Sequence, residues 1–327
     1  MDGENTAFAK IEPLILRRTP GDRSGPFVLG FFAGKGGVGQ SVLAANIAVH
    51  LAQTGKRVLL VDAVRWGQNL HTFLDVPAPE QTLDLLKSGD LTGVESLIID
   101  TPYDKLKLLC GMREGMSSTS STECPFLIRA ARMLPFDFVI LDLGCHPSFN
   151  LFDHAIWSDF AVLTTVPEPT AMEGAYEVLR GLYFRLFKTI EAKLGIEDIV
   201  NKAMMTSHEL GIRTPGDLVS AIHFFRPESG DRMGKEIERL RLLLILNAVR
   251  TTGESDVGDG VVSVCKRYFG FNIELLGFVD HDNTVPAAVR QRKPLHAVQK
   301  DSKCTRQIEK ISYKLMSLGI LDKQDEG

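Results

Sequence analysis

Phe31-Phe32-Ala33-Gly34-Lys35-Gly36-Gly37-Val38-Gly39-Gln40-Ser41 decides how this chain is read. The apolar run Phe27 to Ala33 leads in as a buried strand, and a helical pattern from Ser41 leads out. Between them, Gly34 and Gly39 keep the glycine spacing of G-x-x-x-x-G-K-[ST], in the strand–loop–helix context that makes this a phosphate-binding loop. Glycines let backbone N–H groups turn toward an anion without obstruction by a Cβ. The helix that follows adds the positive end of its dipole. One position departs from the pattern: Gln40 stands where the lysine before Ser41 is expected, while a second lysine, Lys35, sits early in the loop.

Working outward, Val42, Leu43, Ala45, Ile47, Ala48, Val49 and Leu51 make the 41–53 helix apolar on most sides, which suits packing against a sheet. Thr54-Gly55 ends it, and Val58 to Asp62 is a second buried strand, completing a βαβ unit whose crossover is right-handed. Further strands are expected at 106–110, 136–142, 160–165, 242–247 and 273–279. Helices are expected near 82–88, 125–134, 171–194, across most of 199–240, near 257–270 and at 302–318. Gly115 to Thr122, rich in Ser and Thr, reads as a loop. Alternating strands and helices predict an α/β three-layer sandwich of the P-loop NTPase kind, a mostly parallel sheet with helices on both faces. The expected organisation is a leader at 1–25, one domain at 26–320 and an acidic tail at 321–327.

The whole chain bounds the answer. It has 327 residues, 44% hydrophobic and 24% charged, the balance of a globular protein. The 37 basic and 41 acidic side chains leave a net charge of −4, which argues against a dedicated nucleic-acid binder. The five cysteines are scattered without metal spacing, so reduced thiols and a cytoplasmic location are expected. Neither a signal peptide nor a membrane-spanning apolar run is read from the sequence.

In a parallel sheet, ligands sit at the carboxyl ends of the strands, which brings together the loop 34–41, Asp62 and Asp142. A phosphate loop plus a strand-terminal aspartate is the minimal equipment for a Mg-nucleotide. Ser41 would set its hydroxyl on Mg²⁺, with Asp142 holding the ion directly or through water.

Gly34-Lys35-Gly36-Gly37-Val38-Gly39-x-Ser41 resembles the deviant phosphate loop of the MinD/ParA ATPases. Val61-Asp62-Ala63 with Gly67-x-Asn69-Leu70 resembles their first switch, and Val139 to Gly144 their second. Val166-Pro167-Glu168-Pro169-Thr170-Ala171, Leu246 to Arg250 and Ala287-x-x-Arg290-x-Arg292-x-Pro294 follow in the family's order. Among the branches, the chain is most similar to the flagellar-number regulators (FlhG, also called FleN), with the likeness covering about 27–318.

This resemblance implies ATP and Mg²⁺ as cofactors and a nucleotide-linked homodimer. It implies that Gly34, Lys35, Gly36, Gly37, Val38, Gly39, Gln40, Ser41 and Val42 hold the nucleotide, with Asn247 on adenine and Arg250 nearby. Lys35, the signature lysine, would reach the partner subunit's phosphates, and Asp62 would act with it in catalysis. Family members bind the inner membrane face or DNA in the ATP state. A peripheral membrane contact stays open for this chain, with DNA ranked behind it, although the basic C-terminal region (Arg290, Arg292, Lys293, Arg306, Lys310, Lys314) reads first as a solvated face. The last helix, with Ile308, Ile311, Leu315 and Leu318, reads as packed on the core.

Two departures separate binding from turnover. Gln40 can hydrogen-bond a phosphate but cannot neutralise its charge. Val64 stands where the family has the second aspartate of Asp-x-Asp, which orients the attacking water, and Arg65-Trp66 beside it are bulky. The expectation is an ATP-binding regulator of the position or number of a cellular machine, of flagellum or division type, with weakened or lost hydrolysis. The competing readings are a non-catalytic scaffold that binds no nucleotide and a ParA-like DNA-binding partitioning protein. The loop residues Cys145, His146 and His154 are expected to be bland, the histidines solvated.

Overall fold

The computed structural model describes residues 25–64, 69–82, 93–111, 126–205, 212 and 214–321. All but the last residue of the leader, the core of the first-switch segment (Arg65, Trp66 and Gly67), all but the first residue of the 82–88 helix, the Ser/Thr-rich loop and nearly all of the acidic tail lie outside these residues.

Strand β1 (Phe27–Ala33) runs through the interior of one eight-stranded sheet. The other strands are β2 (Val58–Asp62), β3 (Ile98–Asp100), β4 (Leu106–Cys110), β5 (Phe138–Asp142), β6 (Phe160–Thr165), β7 (Leu242–Val249) and β8 (Ile273–Asp280), and β1 pairs with β5 and β6. The order across the sheet is β3-β4-β2-β5-β1-β6-β7-β8, parallel throughout except for β3 at one edge. All seven residues of β1 are buried, as an interior strand covered on both faces requires.

The two faces separate cleanly by parity. Phe27, Leu29 and Phe31 pack with Leu43, Ile47 and Leu51 of helix α1 (Gln40–Gln53), and with Ile308, Ile311 and Leu315 of the last helix, α12 (Lys303–Leu321). Val28 and Phe32 pack on the opposite face with Leu179, Leu182 and Tyr183 of α5 (Pro169–Leu194). That α5 face is completed by α3 (Phe126–Met133), α4 (Phe149–Trp157), α6 (Glu197–Met205), α7 (Pro215–Phe225), α8 (Pro227–Glu238) and α9 (Thr252–Val264). The α1 face also carries α2 (Leu70–Phe73), α10 (Thr284–Arg290) and α11 (Leu295–Val298). The expected three-layer sandwich is the fold, and the last helix packs on the core as its apolar spacing predicts.

Several elements differ from the reading of the sequence, among them α2, which stands in a stretch read as a loop. β3 is only three residues long, too short for its pattern to register. α4 follows Pro147 directly and takes its N-terminal cap from Ser148, which accepts from the Leu151 amide at 3.2 Å. α9 starts at Thr252 rather than near 257, because the Thr251 hydroxyl caps it by accepting from the Glu254 amide. Its three glycines hide a helix from sequence propensity. Among the described residues, no helix is long and apolar enough to cross a membrane.

Candidate functional site

The strand–loop–helix turn between β1 and α1 is built from glycines with two different jobs. Gly37 and Gly39 have φ of +84° and +85°, in the left-handed region that costs other residues energy. Gly34 is a packing glycine: a Cβ there would fall 2.0 Å from the carbonyl oxygen of Gly174 in α5. The loop's outer side is open. A Cβ on Gly37 would meet nothing within 4 Å, and one on Gly36 would meet only Cys145 Sγ at 3.6 Å. Gly39 occupies the N-cap of α1, where no side chain caps the helix and the first turn holds no acid. Unpartnered N–H groups at the start of a 14-residue helix, behind an open glycine turn, form a cradle for an anion.

Beneath the cradle lie two carboxylates. β2 and β5 pair in register, so Asp62 and Asp142 are direct neighbours at the two strand ends. Asp142 is fully buried and Asp62 is 1% exposed. Asp62 Oδ2 accepts from the amides of Asn69 and Leu70 at 3.0 and 3.1 Å. Its Oδ1, and Oδ2 of Asp142, are buried without a partner. Burial, reinforced by the Asp142 charge, pushes the Asp62 carboxyl up to about 7. Burial also lifts Asp142 to about 6, against the pull of the Ser41 hydroxyl and the Gly144 amide. An orphaned carboxylate oxygen in the interior is costly unless a proton or a cation meets it. A serine hydroxyl beside buried carboxylate oxygens, under an anion cradle, is a hard donor set that fits Mg²⁺ with a phosphate.

Gln40 does not join the open cradle. Its side-chain amide turns inward and donates to the carbonyl of Phe31 at 2.7 Å and to Asp142 Oδ1 at 2.6 Å. It is 5% exposed. Gln40 therefore ties α1 to β1 and β5 from within. Lys35 is exposed, and its ammonium donates to the Thr170 hydroxyl of α5 at 2.6 Å. Val64 lies against the second-switch backbone: a Cβ on Gly144 would sit 3.3 Å from Val64 Cγ2. It offers no polar atom there. Asn247, at the end of β7, reaches the loop itself and donates from Nδ2 to the Val38 carbonyl at 2.8 Å. Arg250 is exposed, and its backbone amide donates to Glu254.

The structure thus brings Gln40, Ser41, Asp62, Asp142 and Asn247 around one loop, with Lys35 exposed on that loop. His146 is exposed as expected. His154 is half-buried on α4 rather than on a loop, with Nδ1 2.5 Å from the Asn150 carbonyl, and burial lowers its pKa. Burial raises the Cys145 thiol above its ordinary range, with the Asp142 charge adding to this. Sequence reasoning missed Gly174, whose signal was a glycine inside a long helical run, a mark of close backbone approach.

A model of the CobQ/CobB/MinD/ParA nucleotide binding domain matches residues 29–295 of the chain. The septum site-determining protein MinD of Helicobacter pylori is 28% identical over 151 residues, which covers 45% of this chain and 55% of that protein. The chain thus spans just over half the length of this relative. Among solved structures, the cell division ATPase MinD of Pyrococcus furiosus aligns over 89% of this chain and 99% of its own, with a TM-score of 0.57 and 19% identity. The MinD protein of Pyrococcus horikoshii, solved with Mg-ADP, covers 91% of this chain and 99% of its own at a TM-score of 0.57 and 17% identity. These structural likenesses carry the fold.

Proposed function

The chain belongs to the CobQ/CobB/MinD/ParA nucleotide-binding domain family, and on that premise we propose that it is a Mg-ATP-binding regulator in which nucleotide binding is kept and turnover is weakened. The observation that carries the reading is the open glycine cradle at the uncapped start of α1, set above the unpaired oxygens of Asp62 and Asp142. A solved relative of the same fold holds Mg-ADP.

In this reading the amides of residues 34–41 orient the phosphates, Ser41 and Asp142 hold Mg²⁺, and Arg250 lies toward the base. Bound Mg-ATP would supply an electrophilic phosphoryl group with part of its charge neutralised. The chain's own contribution to transfer falls short in two places. Gln40 brings no positive charge, and its amide is already engaged with Phe31 and Asp142. Val64 cannot orient a water. Phosphoryl transfer rests on positioning and electrostatic stabilisation, so these losses together cost about 10²-fold or more in rate.

Lys35 stands exposed at the rim, available to a second copy of the chain, and this supports a nucleotide-linked homodimer. Likeness to septum-site proteins supports a role in positioning or counting a cellular machine, of division or flagellum type.

Titration with a fluorescent ATP analogue, with and without Mg²⁺, tests the reading. Saturable Mg-dependent binding supports it. No binding at millimolar Mg-ATP removes it and leaves a scaffold. DNA binding with a steep salt dependence would instead favour a partitioning protein.

A further inference from the structure

Asn247 is the place where the structure says more than the family pattern does. The resemblance assigns it to the nucleotide base, yet its side-chain amide is engaged with the phosphate loop. Nδ2 donates to the Val38 carbonyl at 2.8 Å, a contact that joins residues 209 positions apart. The same nitrogen lies 2.4 Å from where a Cβ on Gly39 would be, so only glycine leaves room for it. The backbone that presents it is unusual. Ala248 has φ of +54°, a left-handed conformation that L-residues rarely hold, and the β7–β8 register shifts between Leu246 and Val249. Val38 itself is 4% exposed and packs with Ala33, Val166 and Ala171. A hydrogen bond to its carbonyl therefore fixes the peptide that leads into Gly39 and the first free amides of α1.

We propose that Asn247 is a positioning residue that braces the phosphate loop from β7, so that it supports polyphosphate binding whatever base is attached. The kink at Ala248 aims the amide, Gly39 makes space for it, and the Val38 carbonyl receives it. This rests on the phosphate-site reading, but the brace itself exists without ligand and can be tested without it.

The variant is Asn247→Asp, nearly the same shape with an acceptor in place of the donor, so the contact with the Val38 carbonyl becomes repulsive. In the unliganded full-length protein, hydrogen exchange of the peptide covering 34–41 should speed up about tenfold, the equilibrium worth of one lost hydrogen bond. Exchange elsewhere in the sheet should stay unchanged. Unaltered exchange in that peptide overturns the brace.

Affinities for ATP, GTP and inorganic tripolyphosphate, each with Mg²⁺ and read by competition with a fluorescent nucleotide, form the second arm. The brace predicts that all three weaken by a similar factor, about tenfold. Weakening confined to ATP means that Asn247 reads the base and overturns the proposal. If the parent protein binds no polyphosphate at all, the phosphate-site reading fails, and the exchange arm still decides the brace. Asn247→Ser, which keeps a shorter donor, should fall between parent and Asp in both arms.

Discussion

Gln40 occupies the position of a phosphate-loop lysine and has become part of the scaffold. Its amide satisfies two buried acceptors, the Phe31 carbonyl and Asp142 Oδ1. Gln40→Leu would remove one donor from each, leaving the Phe31 carbonyl with the Leu143 amide and Asp142 Oδ1 with the Gly144 amide, and we expect a loss of about 1–3 kcal/mol in chemical denaturation. Gln40→Lys should stay within about 1 kcal/mol of the parent, since an ammonium can donate to the same two oxygens. The paired carboxylates make a second prediction. Asp62 is held at about 7 and Asp142 at about 6, against 3.8 in the unfolded chain. Between those limits the folded protein holds more protons than the unfolded one, so this contribution to stability is full below about pH 4 and is lost as pH rises through 7. Asp62→Asn keeps an oxygen for the Asn69 and Leu70 amides and removes the ionisation. It should gain on the parent by about 2 kcal/mol or more between pH 4 and pH 8, read as the difference in urea midpoints. A pH-independent difference would contradict the buried-pair account. The replacement at 40 was legible in the sequence. The direction of its side chain was not, because Asp142, 102 residues away, sets it.

Among elements, the decisive contact is the crossing of the phosphate loop with α5. Gly34 and Gly174 meet backbone to backbone: a Cβ on Gly174 would fall 2.6 Å from the Gly34 carbonyl oxygen. Gly174→Ala must push α5 off the loop, since neither backbone can rotate away as a side chain would. We expect a loss of about 1–3 kcal/mol together with weakened nucleotide binding. Thr214→Ala is the matched control. Thr214 and Asp217 form a capping box at the start of α7. Its loss should cost about 1 kcal/mol and leave nucleotide binding unchanged. The interior strands were legible because both faces are covered, so their sequences run apolar without a break. β3, α4 and the start of α9 were not, because short length, a preceding proline and internal glycines each suppress the local signal. The Gly34–Gly174 contact was illegible for a deeper reason: close approach of two backbones is a property of the packed layers, and the chain shows only two glycines 140 positions apart.

For the molecule as a whole, the order β3-β4-β2-β5-β1-β6-β7-β8 places β1, β2 and β5 side by side. Their carboxyl ends therefore deliver the loop, Asp62 and Asp142 to one point. What departs from the family is local. The glycine turn is open and the start of α1 uncapped, while Gln40 and Val64 bring neither a positive charge nor a carboxylate. The central claim is that binding survives where turnover does not. It is tested by measuring Mg-ATP binding and phosphate release on the same preparations of the parent and of Gln40→Lys/Val64→Asp. The account predicts saturable binding by both proteins, with release by the parent slower by about 10²-fold or more. Release by the parent as fast as by the double variant, or no binding by the parent at millimolar Mg-ATP, would contradict it.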